Sequence, residues 1–119
     1  MIINGKDRQF ELTVQAHSEI SKLCQDEDFA KIDKLFSTSS ALGNENLMRI
    51  AIIMNRAYED HRNFEDPSHE QEYLTTDDFK FMLFPEFAKL EVLLMKTMRV
   101  GTSVEVVGEP PKSKGKNVE

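Results

Sequence analysis

The fold depends most on the stretch from Glu45 to Arg62, which reads ENLMRIAIIMNRAYEDHR. Apolar residues recur in it every three or four positions, which is the spacing of one face of an α-helix. A helix that is apolar around most of its girth packs at the centre of a domain, so we expect this one to be the central helix. The apolar stripe and the residues that widen it are Leu47, Met48, Ile50, Ala51, Ile52, Ile53, Met54, Ala57 and Tyr58.

Upstream of this helix, the chain predicts a hairpin followed by two helices. Residues 1–3 are an apolar run, and Asn4-Gly5 after them is a pair that tolerates the positive φ angles of a hairpin turn. Polar and apolar residues then alternate, which places Phe10 and Leu12 on one face of a second strand. From Thr13 the period lengthens, which predicts a first helix that ends near Gln25. The acids of residues 26–28 can cap a second helix. The apolar faces of these two helices contain Val14, Ala16, His17, Ile20, Leu23, Cys24, Phe29, Ile32, Leu35 and Phe36.

Downstream, residues 63–72 read as an exposed loop, and residues 75–78 are the start of a short helix. Pro85 suits the first turn of a longer helix, for which Gly101 is a plausible C-cap. Its inner face holds Phe87, Leu90, Leu94 and Met98. Residues 104–107 could form a short strand, and residues 108–119 have the composition of a disordered tail. We therefore predict one α+β, mainly α domain over residues 1–107, with a small N-terminal β-hairpin packed on four or five helices.

Composition excludes several classes of function. The 119 residues have a net charge of −6, which argues against nucleic acid because phosphate contacts require clustered Lys and Arg. No apolar run approaches the roughly 20 residues needed to span a bilayer. The first residues lack the basic start and long apolar stretch of a secretory signal. We expect a cytoplasmic protein that binds neither membrane nor nucleic acid.

The sequence contains few candidates for catalysis. Cys24 is the one cysteine and lies on an apolar helix face, where unreactive thiols are commonly buried. His17 occupies the same face and fits a boundary histidine better than a catalytic base. His61 and His69 flank acidic residues without the ligand spacing of a metal site. We therefore expect no enzyme activity, no cofactor and no metal.

Two features point instead to protein binding. Residues 59–78 hold eight acids against one Arg, so this segment could be a docking surface for a basic partner or simply a solvated face. The last helix carries a wide apolar band that is either core or a groove for a partner's helix. The candidate partner-binding residues are Glu59, Asp60, Glu65, Asp66, Leu90, Leu93, Leu94, Met95 and Met98. Self-association would also cover the band.

The chain starts with MIINGK, and residues 10–13 run into a helix. Further along come the capped segment LTTDDF at residues 74–79, Pro85-Glu86-Phe87 opening a long helix, and a Val-Glu-Val stretch before a Pro/Lys tail. In this order of elements the chain resembles the tail assembly chaperones of long-tailed bacteriophages and their prophages. The resemblance spans most of the chain.

The resemblance implies a non-enzymatic protein of the bacterial host cytoplasm. It would bind the long, helix-rich tape measure protein, keep it soluble and help tail tube protein assemble around it. Members are often also made in an extended form by a −1 frameshift, and Lys114-Gly115-Lys116 can be encoded as AAG GGA AAA, which contains a slippery heptamer. The alternative prediction is an acidic interaction or regulatory module that neutralises a basic partner.

Overall fold

A computed structural model describes residues 1–36 and 40–101 of the chain. They form a mainly helical fold with a two-stranded antiparallel hairpin at the N-terminus, which confirms the predicted fold class. The strands are β1 (Ile2–Ile3) and β2 (Lys6–Asp7), and the α-helices are α1 (Val14–Ser21), α2 (Ala41–Glu65) and α3 (Phe84–Gly101). Shorter 3₁₀ helices span Gln25–Glu27, Phe29–Leu35 and Thr76–Phe79.

The hairpin turns at Asn4-Gly5, where φ is 52° and 81°. Both values lie in the left-handed region, and a two-residue turn with this twist matches the right-handed twist of the strands it joins. The second strand is shorter than predicted, because it ends at Asp7. Phe10 and Leu12 lie beyond it and pack half-buried against the core, to which the hairpin contributes Ile3.

The segment between α1 and α2 departs from the prediction. α1 begins where predicted, since the Thr13 side chain accepts a hydrogen bond from the Ala16 N–H, but it ends at Ser21. Asp26 and Glu27 then adopt positive φ angles of 58° and 53°, which a continuing helix cannot accommodate. Asp28 caps the next helix as expected by accepting from the Ala30 N–H, and that helix is 3₁₀.

The predicted central helix is α2. It starts four residues earlier than expected, at a cap in which the Ser40 side chain accepts from the Gly43 N–H, and it continues to Glu65. The centre of its stripe is enclosed, since Ile50, Ala51 and Met54 are each 0% exposed, and the flanking residues are half-buried: Met48, Ile52, Ile53, Ala57 and Tyr58. α1 and the 3₁₀ helices Phe29–Leu35 and Thr76–Phe79 pack against it.

The C-terminal helix α3 begins at Phe84, one residue before the predicted start, with Pro85 in its first turn. A capping box at Thr75 and Asp78 starts the preceding 3₁₀ helix. The predicted strand at residues 104–107 and tail at residues 108–119 lie outside the described residues. No described helix combines the length and apolarity needed to cross a membrane.

Candidate functional site

The apolar band predicted on the last helix divides between core and boundary. Leu90 and Leu94 are 0% exposed and Met98 is 3% exposed, so all three belong to the core within a single chain. Leu93 and Met95 are half-buried. The burial of the first three removes them from the candidate partner surface, because a partner cannot reach them without opening the fold.

The predicted acidic surface is largely engaged within the chain. Glu59 is 9% exposed, and its carboxylate accepts from His69 Nε2 at 2.9 Å and from the Glu72 N–H at 3.1 Å. Asp60 accepts from the Tyr73 hydroxyl and from Gln71. The hydrogen bond to Asp60 raises the pKa of Tyr73 above its ordinary value. These acids fasten residues 69–73 to α2.

The other two predicted acids also have local partners. The Glu65 carboxylate lies 2.5 Å from Arg62 and 3.3 Å from His61. Asp66 accepts from the hydroxyl and N–H of Ser68, and these hydrogen bonds lower the pKa of its carboxyl. The acids therefore shape the turn after α2 more than they present charge to a partner.

Buried polar contacts extend this attachment from residue 69 to residue 78. The Asn55 amide, 0% exposed, donates to the Gln9 carbonyl at 3.0 Å and accepts from the Leu74 N–H at 2.8 Å. Arg8 donates to the Glu72 carbonyl, and its guanidinium lies 3.6 Å from Asp78. The hairpin, α2 and the start of the Thr76–Phe79 helix are thereby held in one arrangement.

An exposed apolar patch lies beside the hairpin and the Thr76–Phe79 helix. It is made of Ile2, Phe81, Leu83 and Phe84. Their side chains are 63%, 86%, 71% and 63% exposed. Single exposed apolar residues are ordinary on protein surfaces, but a contiguous group is typical of interaction sites. Ile2, Phe81 and Leu83 line a common groove, and Phe84 follows Leu83 directly in the chain at the start of α3. We take this apolar patch as the candidate functional site.

The turn that presents the patch is fixed by its neighbours. Phe79 is 8% exposed and packs edge-on against Phe87, with ring centroids 6.3 Å apart. Phe87 also contacts the Phe84 ring at 6.1 Å. The Leu83 carbonyl accepts from the N–H groups of Glu86 and Phe87, which starts α3 at this point. The exposed Phe84 ring thus packs on half-buried Phe87, which in turn packs on buried Phe79.

Sequence reasoning missed the patch. None of its four residues is among the candidate partner-binding residues predicted from the sequence. The available signal was the run Phe79-Lys-Phe-Met-Leu-Phe84, which contains more large apolar residues than a short turn before a proline can bury.

The metal-ligating and nucleophilic side chains named in the sequence analysis were also located in the structure. In residues 1–36 and 40–101, no three His, Cys, Asp or Glu side chains are placed to hold a metal ion. Desolvation by burial, together with the nearby Asp28 carboxylate, raises the pKa of the Cys24 thiol. His17 stacks on Phe29 with centroids 4.2 Å apart, which agrees with its expected place at the core boundary.

Comparisons of the chain with protein-family models, curated proteins and solved structures found no match.

Proposed function

We propose that this protein is a non-enzymatic tail assembly chaperone that acts in the bacterial cytoplasm. Its client would be the tape measure protein of a long-tailed phage, a long helical chain whose apolar stripes aggregate unless they are covered, and it would help tail tube subunits assemble around that client. The proposal rests on the resemblance in element order and on the exposed apolar patch at Ile2, Phe81, Leu83 and Phe84.

The patch is the observation that carries the proposal. A chaperone must offer apolar surface while its own core stays closed, and the patch is next to buried Phe79 and half-buried Phe87, which pack on each other. Fully covering one large apolar side chain is worth about 1.5–3 kcal/mol, so three or four such contacts could hold a helix reversibly.

The alternative of an acidic docking module draws less support. Of the eight acids in residues 59–78, six are engaged by polar groups of this chain, with Lys6 bound to Glu72 in addition to the contacts described above. Glu70 and Asp77 are the two acids of this segment that take no part in these contacts. A basic partner would have to compete with these internal contacts for the other acids.

The test is co-expression with the longest helix-rich protein encoded beside this gene. We expect that protein to stay in the soluble fraction and to co-purify with the chain. A Phe81→Ser/Leu83→Ser variant should lower the recovered partner at least about tenfold, because the two lost contacts exceed the 1.4 kcal/mol of one decade in affinity.

Leu42→Ser provides the matched control, because Leu42 is 65% exposed at the start of α2, far along the chain from the patch. It should leave recovery unchanged, and circular dichroism should show the same helix content in all three proteins. Equal recovery with the double variant, or equal loss with Leu42→Ser, would overturn the assignment of the patch as the client site.

A further inference from the structure

The rim of the apolar patch carries one anion and one cation that are not paired with an opposite charge. Asp77 and Lys80 are exposed and line the groove that Ile2, Phe81 and Leu83 also line. In the described part of the chain, the Asp77 carboxylate has no polar partner and Lys80 has no carboxylate partner. The Lys80 ammonium lies 5.8 Å from the centre of the Phe81 ring, so this charge directly adjoins the patch.

The other two charged residues of the groove are already bound within the chain. Asp78 accepts a hydrogen bond from the Asn4 amide at 3.0 Å, and Glu86 lies 3.3 Å from Lys89. The two unpaired charges have opposite signs, so a partner of uniform charge would meet one attraction and one repulsion. A surface that carries the same two charges can satisfy both of them.

We propose that the apolar patch binds the apolar patch of a second copy around a two-fold axis, with Lys80 of each copy facing Asp77 of the other. The Lys80 N–H donates to the Asp77 carbonyl, and residues at this spacing share one face of a 3₁₀ helix. When two such segments run antiparallel across the axis, residue 77 of one copy lies opposite residue 80 of the other, and the symmetry repeats the pair. The two ion pairs also fix the register of the apolar contact.

The size of the patch indicates a weak dimer. Its four side chains, 63–86% exposed, present about 500 Å² of apolar surface. A stable interface of standard size buries about 800 Å² per partner, and smaller ones are typical of transient contacts. We therefore expect a dissociation constant of about 10–100 μM.

The dimer would regulate the proposed client site, and this consequence rests on the proposed function. A weak dimer covers the apolar patch while no client is present. A client that binds the single copy more tightly shifts the equilibrium away from the dimer by mass action. The dimer itself does not depend on the identity of the client.

Charge reversal at the two positions tests the pairing. Lys80→Asp makes two acids face each other in both pairs, and Asp77→Lys makes two lysines do so. Sedimentation equilibrium should show that the unchanged chain dimerises and that each variant alone dimerises at least about tenfold more weakly, because symmetry makes every reversed pair count twice. Lys22→Asp and Glu70→Lys are the matched controls, since both residues are exposed and neither lines the groove. They should change the affinity by less than about twofold.

An equimolar mixture of Lys80→Asp and Asp77→Lys separates a specific pairing from a general effect of charge. In the mixed dimer both pairs again join an acid to a lysine, so the affinity should return to near that of the unchanged chain. Native mass spectrometry should find mixed dimers almost exclusively, whereas the two controls should pair at random when mixed. Circular dichroism should show the same helix content in all five proteins.

A chain that stays monomeric up to about 1 mM would overturn the proposal. So would a mixture of the two reversed variants that associates no better than either variant alone. The client test fails separately from this one. A chain that dimerises in this way but recovers no client overturns the proposed function alone, and a monomeric chain that recovers its client overturns the dimer alone.

Discussion

At the scale of single residues, Asn55 is the most consequential polar group of the core. Its amide satisfies the Gln9 carbonyl and the Leu74 N–H in a fully buried position. Asn55→Ala leaves both of these backbone groups without a hydrogen-bond partner, and each buried group left unsatisfied costs about 1–3 kcal/mol. We expect the free energy of unfolding, measured with urea, to fall by about 2–4 kcal/mol.

Asn63→Ala is the control for that measurement. Asn63 is half-buried and donates a single hydrogen bond to the His69 carbonyl, so its loss should cost about 0.5–1.5 kcal/mol. Equal losses of unfolding free energy in the two variants would show that the two buried hydrogen bonds of Asn55 contribute no more than the single bond of Asn63.

Asp78 links stability to pH. Its hydrogen bond from Asn4 is the largest cause of a lowered pKa, and Thr75 and Arg8 add to the effect. Because the folded carboxyl has a pKa below the ordinary 3.8, its contribution is present above that value and is lost as the pH falls through the folded pKa. Asp78→Asn should cost about 0.5–2 kcal/mol at pH 6, and the difference from the unchanged chain should narrow below pH 3.8.

Urea titrations at pH 6, 4 and 3 would measure this difference. Asp77→Asn serves as the comparison, because Asp77 is exposed and its side chain caps nothing. A gap between Asp78→Asn and the unchanged chain that stays constant over the whole range would contradict the linkage.

At the scale of elements, local signals predicted more than long-range ones could. The period of Leu47, Ile50 and Met54, the change of period at Thr13 and the cap at Asp28 depend on neighbours in sequence, so the position of α2 and the starts of α1 and of the Phe29–Leu35 helix were predicted, whereas the end of α1 at Ser21 was not. The exposure of Phe81 depends on which side of the turn faces the hairpin, which no local pattern encodes. The engagement of Glu59 by His69 likewise depends on the path of the loop after α2.

The break after α1 gives a prediction for that element. Glu27 holds a φ of 53°, where a residue with a Cβ is disfavoured by about 1–2 kcal/mol and glycine is not. Glycine also gives the unfolded chain more conformational entropy, which lowers the free energy of unfolding by about 0.4–1 kcal/mol. The relief of strain at Glu27 is the larger effect, so Glu27→Gly should raise the free energy of unfolding by about 0.5 kcal/mol. Thermal unfolding should place Glu27→Gly above both the unchanged chain and Glu27→Ala. A melting temperature below that of Glu27→Ala would contradict it.

At the scale of the whole molecule, the chain keeps its surfaces separate from its core. The core draws on the hairpin, all three α-helices and the 3₁₀ helices Phe29–Leu35 and Thr76–Phe79, through residues such as Ile3, Ile20, Ile50 and Leu90. The apolar patch draws on Ile2 of the hairpin and on residues 81–84, and it shares no residue with the core. The patch can therefore be altered without removing a core side chain.

The burial of Cys24 has a practical consequence. It is the one thiol of the chain, it is 5% exposed, and its raised pKa keeps it in the unreactive thiol form. An alkylating reagent will therefore modify it mainly in molecules that have opened. The rate of modification of this single thiol in the purified protein therefore counts those openings without an added dye or engineered label.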